Sequence, residues 1–323
     1  MDAPLEHNRP TGVSAAAADV TIVIVSYKTR DLTLKAVETL IDNTLDVAMH
    51  IVLFDNASAD GTVEAVAARF PQVEVVASAE NIGFARANNW VAARARTDWI
   101  LLLNPDTETY LAAIKNILCF ARDHPEAGIV GGQTRFPDGS LNPASCWQRM
   151  TPWSLFASAI GLSRMFPDSG VFNPEGMGGW KRDSVRQVDI VVGCFLMISR
   201  KLWNEPGGFD KRYFMYGEDA DLCLRAAELG YRPMITPDAR IMHLVGASTS
   251  IRAEKVVAVM RAKATLIRDH WPLWQIPLGL GLMWLWGAVR YLASLIAREE
   301  DERAGLRFLW TERKSWLRGF TAE

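Results

Sequence analysis

Three carboxylates within four residues form the densest group of reactive side chains in the sequence. Glu218, Asp219 and Asp221 follow Gly217 at the start of a predicted helix. The helix dipole favours the charged form of a carboxyl group there, whereas neighbouring negative charge disfavours it. One of the three can therefore serve as a general base. The alternative is that all three simply stabilise the first turn of the helix.

Oxygen-bearing side chains recur in two other loops. Asp55 can accept a hydrogen bond from the N3–H group of uracil or thymine, or it can form a turn or helix cap. In Asn104-Pro105-Asp106, the carboxylate of Asp106 can bind Mg²⁺ or Mn²⁺ on a diphosphate, or it can cap a helix. His243, taken alone, is more typical of a core histidine than of a ligand.

The segment Asn81–Asn89 is richer in amide side chains than the start of a helix requires. Gly83 permits a close approach of the backbone, and free N–H groups at a helix N-terminus favour anions such as phosphate. A capped helix that packs inward is the alternative, particularly for Asn88 or Asn89 alone.

The elements that position these loops are short apolar runs at Val20–Ser26, Ile51–Phe54, Val73–Val76 and Trp99–Leu103. Such runs are typical of strands that are buried on both faces of a parallel sheet, and helical patterns lie between them. The alternation predicts an α/β domain. Ligands bind at the carboxyl ends of strands in such sheets, so the polar loops should meet at one edge.

The second half of the chain has a less regular pattern. We predict a strand over Gly128–Phe136, a helix over Trp153–Phe166 and a long buried strand over Gln187–Ser199, interrupted at Gly193. A further strand is expected to end near His243.

The composition excludes several classes of protein. Of 323 residues, 49% are hydrophobic and 22% are charged, which suits a large core and excludes global disorder. Lys plus Arg total 35 against 37 for Asp plus Glu, so no basic excess indicates a nucleic-acid partner. The four cysteines lack metal-ligand or disulfide spacing, and the N-terminus does not have the pattern of a signal peptide. We therefore expect a cytoplasmic protein with reduced thiols.

Five motifs follow one another along the chain: VSYKTRD, FDNASADGT, ENIGFARANN, LLLNPDT and GGFDKRYFMYGEDADLCLR. Together they resemble glycosyltransferase family 2, and within it the rhamnosyltransferase-like bacterial branch. The resemblance extends from about Thr21 to about Thr249. It implies a GT-A fold, with a Rossmann-like, mostly parallel central sheet and helices on both faces, and inverting transfer of a sugar from a nucleotide-sugar donor.

The resemblance also implies roles for single residues. Asp219, paired with Glu218, stands where the family has its catalytic base. Asp106 stands in the metal-binding D-x-D motif, and His243 stands where several relatives have a further metal or diphosphate contact, with Mg²⁺ or Mn²⁺ as the cofactor. The donor is expected to contact Ser26, Tyr27, Asp55, Asn56, Ser58, Asn81, Gly83, Phe84, Asn88, Asn104 and Asp106.

Two positions depart from the family pattern. Asn104 replaces the first Asp of the D-x-D motif, which weakens the case for strict metal dependence. Lys28 stands where an Asn is usual after Ser-Tyr, which alters the nucleotide pocket.

The branch resemblance implies dTDP-L-rhamnose as the donor, with UDP-sugars as the second choice. The acceptor is then a hydroxyl group of a cell-surface glycan or of a polyprenyl-linked sugar. We expect Gly193, Trp147 and Trp180 to contact it, because aromatic rings can stack on the apolar face of a sugar. Packing in the core is the alternative for these two rings.

The implied organisation has four parts. Residues 1–19 form a flexible tail, 20–125 the nucleotide-sugar-binding half, 126–250 the acceptor-binding and catalytic half, and 251–323 a helical segment that associates with a membrane.

The last 53 residues hold six of the 12 tryptophans. Residues 271–289 carry no charge and could cross a bilayer as one helix, although prolines and glycines argue against a clean span. An apolar stripe that includes Leu306, Leu309 and Phe320 lies opposite basic residues, a pattern typical of membrane-interface helices. We expect peripheral attachment to the inner face of the cell membrane. A full span, packing against the domain and a homodimer seam are the alternatives.

Rival functions have weaker support. A nucleotidyltransferase usually has a glycine-rich phosphate loop after its first strand, and Ser26–Arg30 contains no glycine. A dehydrogenase that binds NAD would have G-x-G-x-x-G there. A nucleotide-sugar-binding membrane scaffold without turnover stays open, because Asn104 weakens the metal motif.

Overall fold

The computed structural model of the chain describes residues 5–8, 17–244 and 252–321. The strands are β1 (Leu5–Asn8), β2 (Val20–Ser26), β3 (Met49–Asp55), β4 (Glu74–Ser78), β5 (Trp99–Leu103), β6 (Thr107–Thr109), β7 (Ile129–Arg135), β8 (Leu141–Asn142), β9 (Cys146–Trp147), β10 (Arg186–Gln187), β11 (Ile190–Val191), β12 (Phe195–Ser199) and β13 (Met234–His243). The helices are α1 (Arg30–Asp42), α2 (Thr62–Arg69), α3 (Phe84–Ala92), α4 (Ala113–Asp123), α5 (Pro152–Ala159), α6 (Leu162–Met165), α7 (Arg200–Asn204), α8 (Glu218–Glu228), α9 (Arg252–His270), α10 (Ile276–Ser294), α11 (Glu300–Thr311) and α12 (Arg313–Arg318), with a 3₁₀ turn at Leu273–Gln275.

Four parallel strands at the centre of the sheet confirm the α/β prediction. β4, β3, β2 and β5 lie side by side in that order, and β2 is buried along its whole length. Because successive side chains of a strand point to opposite faces, Val23 and Val25 pack in one core cluster while Ile22 and Ile24 pack in another. The sheet is therefore covered on both faces, as a parallel sheet requires.

Antiparallel strands extend the sheet beyond β5. β12 lies between β5 and β7 and runs antiparallel to both, whereas β13 runs parallel to β7. The predicted strand over Gln187–Ser199 is divided into three: β10 pairs with β13, β11 pairs with β9 in a separate two-stranded sheet, and β12 enters the main sheet. The interruption expected at Gly193 and Cys194 is confirmed between β11 and β12, whereas the break between β10 and β11 was not predicted.

The second half also contains the predicted strand near residue 130 and a helical region near residue 160. β7 confirms the predicted strand over Gly128–Phe136. The helix predicted over Trp153–Phe166 is divided into α5 and α6, because Gly161 between them adopts a left-handed conformation with φ +86°.

β1 corrects the prediction that residues 1–19 form a flexible tail. Leu5–Asn8 pair antiparallel with residues 75–78 of β4, so they occupy an edge of the sheet. Residues 1–4 and 9–16 of the expected tail lie outside the described residues, as do 245–251 at the predicted boundary with the C-terminal segment. The division of 20–250 into a donor half and an acceptor half stays a prediction.

The helices α9–α12 form a layer that packs against α5 and α8. Trp316 is fully buried, and its Nε1–H donates to the carbonyl of Leu309 at 2.9 Å. Phe320 packs on the ring of Tyr213, with 5.3 Å between the centroids. The apolar stripe of α11 and α12 therefore faces the protein, which is the packing alternative. Periodicity predicts that a helix buries one face, but it does not identify what covers that face.

The segment Leu273–Ser294, which contains α10, is long and apolar enough to cross a membrane, with a mean hydropathy of 1.3. Length and composition alone do not distinguish a spanning helix from an apolar helix that lies on the surface of a protein.

Candidate active site

The loops that follow β2 and β3 meet at the carboxyl edge of the sheet, as predicted. Ser26 is buried, and its hydroxyl group lies 3.0 Å from the hydroxyl of Thr33 at the start of α1. The N–H of Lys28 donates to Ser58 Oγ at 2.9 Å, which joins the two loops. Ser26 and Ser58 therefore fix the backbone of the loops, while Tyr27 lies exposed at their rim.

Asp55 combines both of its expected roles. It is buried, and its Oδ2 accepts from the N–H of Ser58 at 3.0 Å, which is the turn that the sequence permits. Its Oδ1 is also buried and has no hydrogen-bond partner among the described residues. Burial raises the pKa of Asp55, while the hydrogen bonds from Ser58 oppose that shift. One oxygen is thus available to accept from a ligand.

Asn56 and Asn81 hold the next loop in shape. Asn56 Nδ2 donates to Asn81 Oδ1 at 2.8 Å, and Asn56 Oδ1 accepts from the N–H of Ile82 at 2.8 Å. Asn81 Oδ1 also accepts from the N–H of Gly83 at 3.0 Å. The amide side chains that indicated a ligand site therefore bind the backbone of the loop before α3.

Gly83 permits a close approach, but the group that approaches is protein. At φ +84°, a Cβ atom on Gly83 would lie 2.7 Å from the carbonyl oxygen of Phe214. The same carbonyl accepts from the N–H of Phe84 at 2.9 Å. Asn88 Nδ2 donates to the carbonyl of Phe84, and its buried Oδ1 has no partner among the described residues. The start of α3 thus contacts the segment that leads to α8.

Asn89 makes a contact that the sequence analysis did not assign. Its Nδ2 donates to the carbonyl of Phe209 at 2.8 Å, and its Oδ1 accepts from the N–H of Phe209 at 2.9 Å. One side chain thereby binds both backbone groups of a residue 120 positions away. The many amide side chains in residues 81–89 indicated that this segment makes specific hydrogen bonds, but they did not identify Phe209 as the partner of Asn89.

Asp106 and His243 come together although they are distant in sequence. Antiparallel pairing of β6 with β13 places Thr107 opposite His243. As a result, His243 Nε2 lies 3.3 Å from Asp106 Oδ1. Burial alone would lower the pKa of His243, but the neighbouring Cys194 and Asp106 raise it, to about 10. Both side chains are buried, and His243 Nδ1 has no partner among the described residues.

A carboxylate oxygen and an imidazole nitrogen that converge in this way fit a divalent cation. Within residues 5–8, 17–244 and 252–321, no group of three or more His, Cys, Asp or Glu side chains could hold a metal ion. Asp106 and His243 would thus supply two ligands, and diphosphate oxygens and water would supply the others. An imidazole must be neutral to bind a metal, so a bound cation would displace the proton of His243.

Asp219 is held by backbone N–H groups on both of its oxygens. Gly193 donates to Oδ2 at 2.9 Å, and Ala220 donates to Oδ1 at 2.8 Å. Burial raises the pKa of Asp219, and these donors oppose that shift. Burial and the charge of Asp219 raise the pKa of Glu218 to about 8, and Glu218 Oε2 has no partner among the described residues. Burial thus disfavours the charged form of both carboxyl groups, and the neighbouring charge of Asp219 adds to that effect on Glu218.

The third carboxylate of the group has a structural role. Asp221 Oδ2 accepts from Arg225 at 2.6 Å, and Asp221 Oδ1 lies 2.9 Å from His270 Nε2 at the end of α9. Arg225 also donates to the carbonyls of Pro206 and Gly208. Asp221 thus ties α8 to α9 and to the preceding loop, and it is not available as a base.

The turn at residues 193–194 connects the parts of the site. The N–H of Asn104 donates to the carbonyl of Cys194 at 3.1 Å, beyond the last ladder pair of β5 and β12. A Cβ atom on Gly193 would lie 3.6 Å from the ring of Phe84 and 3.7 Å from Cβ of Asp219. The end of β5, the start of α3 and the start of α8 are therefore neighbours.

The two predicted acceptor tryptophans pack against different hydrophobic clusters. Trp147 lies on β9, pairs with Ile190 and packs on the cluster that contains Tyr213. Trp180 packs on the large core cluster, and its Nε1–H donates to Ser184 Oγ at 3.1 Å. The core-packing alternative describes both rings. Of the three predicted acceptor residues, Gly193 alone is placed against Asp219 by the contacts above.

The sequence profile described as "Glycosyl transferase family 2" matches residues 21–189, more than half of the chain. The chain belongs to glycosyl transferase family 2. Over 276 residues, this glycosyltransferase is 29% identical to the N-acetylglucosaminyl-diphospho-decaprenol L-rhamnosyltransferase of Mycobacterium tuberculosis, covering 80% of the chain and 87% of the relative. It is also 25% identical to the rhamnosyltransferase WbbL of Escherichia coli, covering 69% and 83%.

Solved structures of other glycosyltransferases share the fold. The mannosyltransferase PcManGT from Pyrobaculum calidifontis, in complex with GDP-Man and Mn²⁺, superposes with a TM-score of 0.55 at 18% identity, covering 96% of this chain and 87% of that one. Residues 1–349 of TarS from S. aureus, in complex with UDP, give 0.52 at 14% identity, covering 93% and 89%. The GT-A fold expected from the motifs is confirmed.

The site of this glycosyltransferase brings together groups that could serve sugar transfer. Asp55 offers an acceptor to a base, Asp106 and His243 offer a place for a cation, and Asp219 offers a carboxylate whose basicity is raised by burial. A general base of raised pKa is a better proton acceptor at neutral pH than an ordinary carboxylate.

Proposed function

We propose that this glycosyltransferase moves L-rhamnose from dTDP-L-rhamnose, with inversion, to a hydroxyl group of a lipid-linked or cell-surface glycan. The single observation that carries the proposal is the pair of N–H groups that hold Asp219 beside the turn at Gly193. The names of the two relatives support rhamnose as the sugar, and the name of the mycobacterial relative supports a polyprenyl diphosphate acceptor.

In the proposed reaction, Asp219 accepts the proton of the acceptor hydroxyl group. The oxygen then forms a bond to the anomeric carbon as the bond from that carbon to the diphosphate oxygen breaks, which inverts the configuration. The N–H groups of Gly193 and Ala220 orient the carboxylate and leave each oxygen one further lone pair for the incoming proton. Glu218 stays protonated at neutral pH, which avoids a second charge beside the base.

We infer that Asp106 and His243 would hold Mg²⁺ or Mn²⁺ on the diphosphate of the donor. A cation there would stabilise the negative charge of the departing nucleoside diphosphate. Asn104, which replaces an acidic residue, lies in the same loop, so the protein itself contributes one carboxylate to this cation. Mn²⁺ in the structure of the mannosyltransferase PcManGT supports a divalent ion of this kind.

The free oxygen of Asp55 supports a pyrimidine nucleotide. The imide N3–H of thymine or uracil is a single donor, and Asp55 Oδ1 is a buried acceptor without a partner among the described residues. A hydrogen bond there would offset the cost of about 1–3 kcal/mol that an unpaired buried polar atom carries. The exposed ring of Tyr27 at the rim is available to stack on the base.

We further propose that the enzyme acts at the cytoplasmic face of the membrane, because a polyprenyl-linked acceptor is confined to the bilayer. The apolar segment Leu273–Ser294 supports such a contact.

Asp219→Asn tests the assignment of the base. Asparagine preserves the shape but accepts no proton, so we expect kcat to fall about 1,000-fold, while the Kd for dTDP-L-rhamnose stays close to that of the wild type. Radiolabelled transfer to decaprenyl-diphospho-N-acetylglucosamine and isothermal titration calorimetry measure the two quantities. Asp123→Asn, an exposed change on α4, is the control and should leave both unchanged.

Two results would contradict the proposal. Full activity of the Asp219→Asn variant would exclude this residue as the base. A wild-type protein that binds dTDP-L-rhamnose and never transfers the sugar to this acceptor would instead favour the non-catalytic scaffold.

A further inference from the structure

Helix α10 has two different apolar faces, and one of them packs against the protein. Gly279, Met283 and Gly287 are buried at intervals of four residues along this inner face. The ring of Trp271 covers Gly279, where an added Cβ atom would lie 2.9 Å from it, and the ring of Trp316 covers Gly287 at 3.1 Å. These close contacts attach α10 to the C-terminal layer along its length.

The opposite side of the segment exposes large apolar side chains. Trp274 and Ile296, at its two ends, are 74% and 83% exposed, and Leu278, Trp284 and Leu292 between them are exposed as well. Spacings of three, four or multiples of them place these positions along one side of a helix. Single exposed apolar residues are common on proteins, but a continuous row of them marks an interaction site.

Helices α5 and α6 extend this row. α5 packs against α10 and exposes Trp153, Phe156 and Ile160, which are three and four residues apart on one face. The short helix α6 and its end add Met165 and Phe166, also exposed. We call the whole set the outer apolar face; its members are Trp153, Phe156, Ile160, Met165, Phe166, Trp274, Leu278, Trp284, Leu292, Leu295 and Ile296.

The charges on the segments that carry this face are all positive. Residues 150–167 and 271–298 contain no Asp or Glu, and their charged residues are Arg164, Arg290 and Arg298. The guanidinium group of Arg290 lies 3.8 Å from the ring centre of Trp286. Among the described residues it donates only to backbone carbonyls, those of Ser158, Ala159 and Trp286.

Arg290 has no carboxylate partner within the part of the chain that the structure describes. Burial lowers its pKa to about 10, and the nearby charge of Arg164 acts in the same direction. Arg164 is exposed next to Met165 and Phe166, and a guanidinium group at the edge of an apolar surface suits an anion from outside the chain. Phosphate groups of lipids are anions that occur directly beside an apolar phase.

We propose that the outer apolar face lies in the plane of a bilayer that contains anionic phospholipid. Its apolar side chains enter the acyl boundary, while the exposed Arg164 binds headgroup phosphates. The proposal rests on the proposed membrane contact and is independent of the chemistry of transfer. A spanning helix is disfavoured, because it would have to release the packed inner face of α10. A second copy is disfavoured, because two such faces would bring like charges together.

Flotation with lipid vesicles tests the proposal on the full chain. We compare vesicles of phosphatidylcholine alone with vesicles of equal parts phosphatidylcholine and phosphatidylglycerol. Wild-type protein should bind the anionic vesicles, with a blue shift of tryptophan fluorescence from Trp274 and Trp284. Ile296→Ser and Phe156→Ser should each lower the partition coefficient about tenfold, whereas Leu111→Ser, at an exposed leucine outside the face, should have no effect.

Arg164→Gln tests the charge separately. We expect it to lower partitioning onto anionic vesicles about fivefold and to have no effect on neutral ones. Arg164 is exposed, so this variant should fold, and circular dichroism verifies that it does. Release of the wild type from cell membranes by alkaline carbonate is expected for contact in the plane of the bilayer.

Three results would overturn the proposal. Equal vesicle binding by wild type, Ile296→Ser and Phe156→Ser would mean that the face does not contact lipid. Retention of the wild type in carbonate would favour a span. A wild type that binds no vesicles but sediments as a dimer, with the dimer lost in Ile296→Ser, would make a second copy the partner of this face.

Discussion

Replacing Asn89 by alanine would break the contact that joins α3 to the loop before Asp219, the proposed base. Asn89 binds both the N–H and the carbonyl of Phe209, and Phe209 is only 1% exposed. Without the amide, two buried backbone groups lose their partners. Because the segment from Phe209 leads to Asp219 at the start of α8, the effect should reach catalysis as well as stability.

The expected magnitude follows from the two hydrogen bonds. An unpaired buried polar group costs about 1–3 kcal/mol, so the loss of both partners in Asn89→Ala should lower the free energy of unfolding by about 2–6 kcal/mol. That is a large part of the about 5–15 kcal/mol that stabilises a typical domain. Asn89→Asp keeps the acceptor for the N–H of Phe209 but sets a carboxylate oxygen, which cannot donate, against the carbonyl of Phe209, so its effect should be at least as large.

Urea unfolding followed by circular dichroism measures the loss of stability, and steady-state kinetics measure the effect on transfer. Asn116→Ala is the matched control, because Asn116 also donates to a backbone carbonyl, that of Asp238, but at an exposed position. We expect less than about 1 kcal/mol there. If Asn89→Ala and Asn116→Ala unfolded at the same urea concentration, the contact with Phe209 would not hold the loop.

Three further predictions concern the site. Asp106→Asn should lower kcat about 100-fold and weaken Mn²⁺ binding, measured by metal titration of chelator-treated protein with dTDP present; full activity in excess chelator would exclude the metal role. The pKa of Glu218 is about 8 in the folded chain, above its ordinary value of 4.5, so Glu218 binds its proton more tightly in the folded chain than in the unfolded chain. The free energy of unfolding should therefore decrease as the pH rises between these two values. Glu218→Gln should flatten that dependence in thermal melts across the range, and an unchanged slope would argue against the raised pKa. Gly83→Ala should lower the melting temperature in calorimetry, because a left-handed alanine would overlap Phe214; a wild-type melting temperature would show that the loop adapts.

The first half of the fold could be predicted because local sequence determines it. Val20–Ser26 and Trp99–Leu103 are strands over the predicted residues, since apolar runs of this length have few alternatives to a buried parallel strand. The topology of a parallel sheet alone predicted that the polar loops at the carboxyl ends of these strands lie at one edge. Asp106 and Asp55 were therefore placed at the correct edge of the sheet.

Contacts between distant segments could not be predicted in the same way. Whether β12 pairs between β5 and β7 depends on which strand edges the rest of the sheet leaves unpaired. The local sequence of β12 does not contain that information. Asp219 and Asp221 are equivalent in sequence, yet one receives backbone N–H groups and the other receives Arg225 and His270. We expected the stripe at Leu309 and Phe320 to lie at a membrane interface, but both side chains pack on protein.

The ladder between β5 and β12 has a consequence for engineering by recombination. Leu103 pairs with Phe195, so the strand that ends at the proposed cation loop and the strand that begins beside the proposed base belong to one hydrogen-bonded sheet. A chimaera that exchanged residues 20–125 with those of a relative would replace one side of that ladder and of both core clusters. Donor preference in this enzyme is therefore better altered by grafting single loops than by swapping halves.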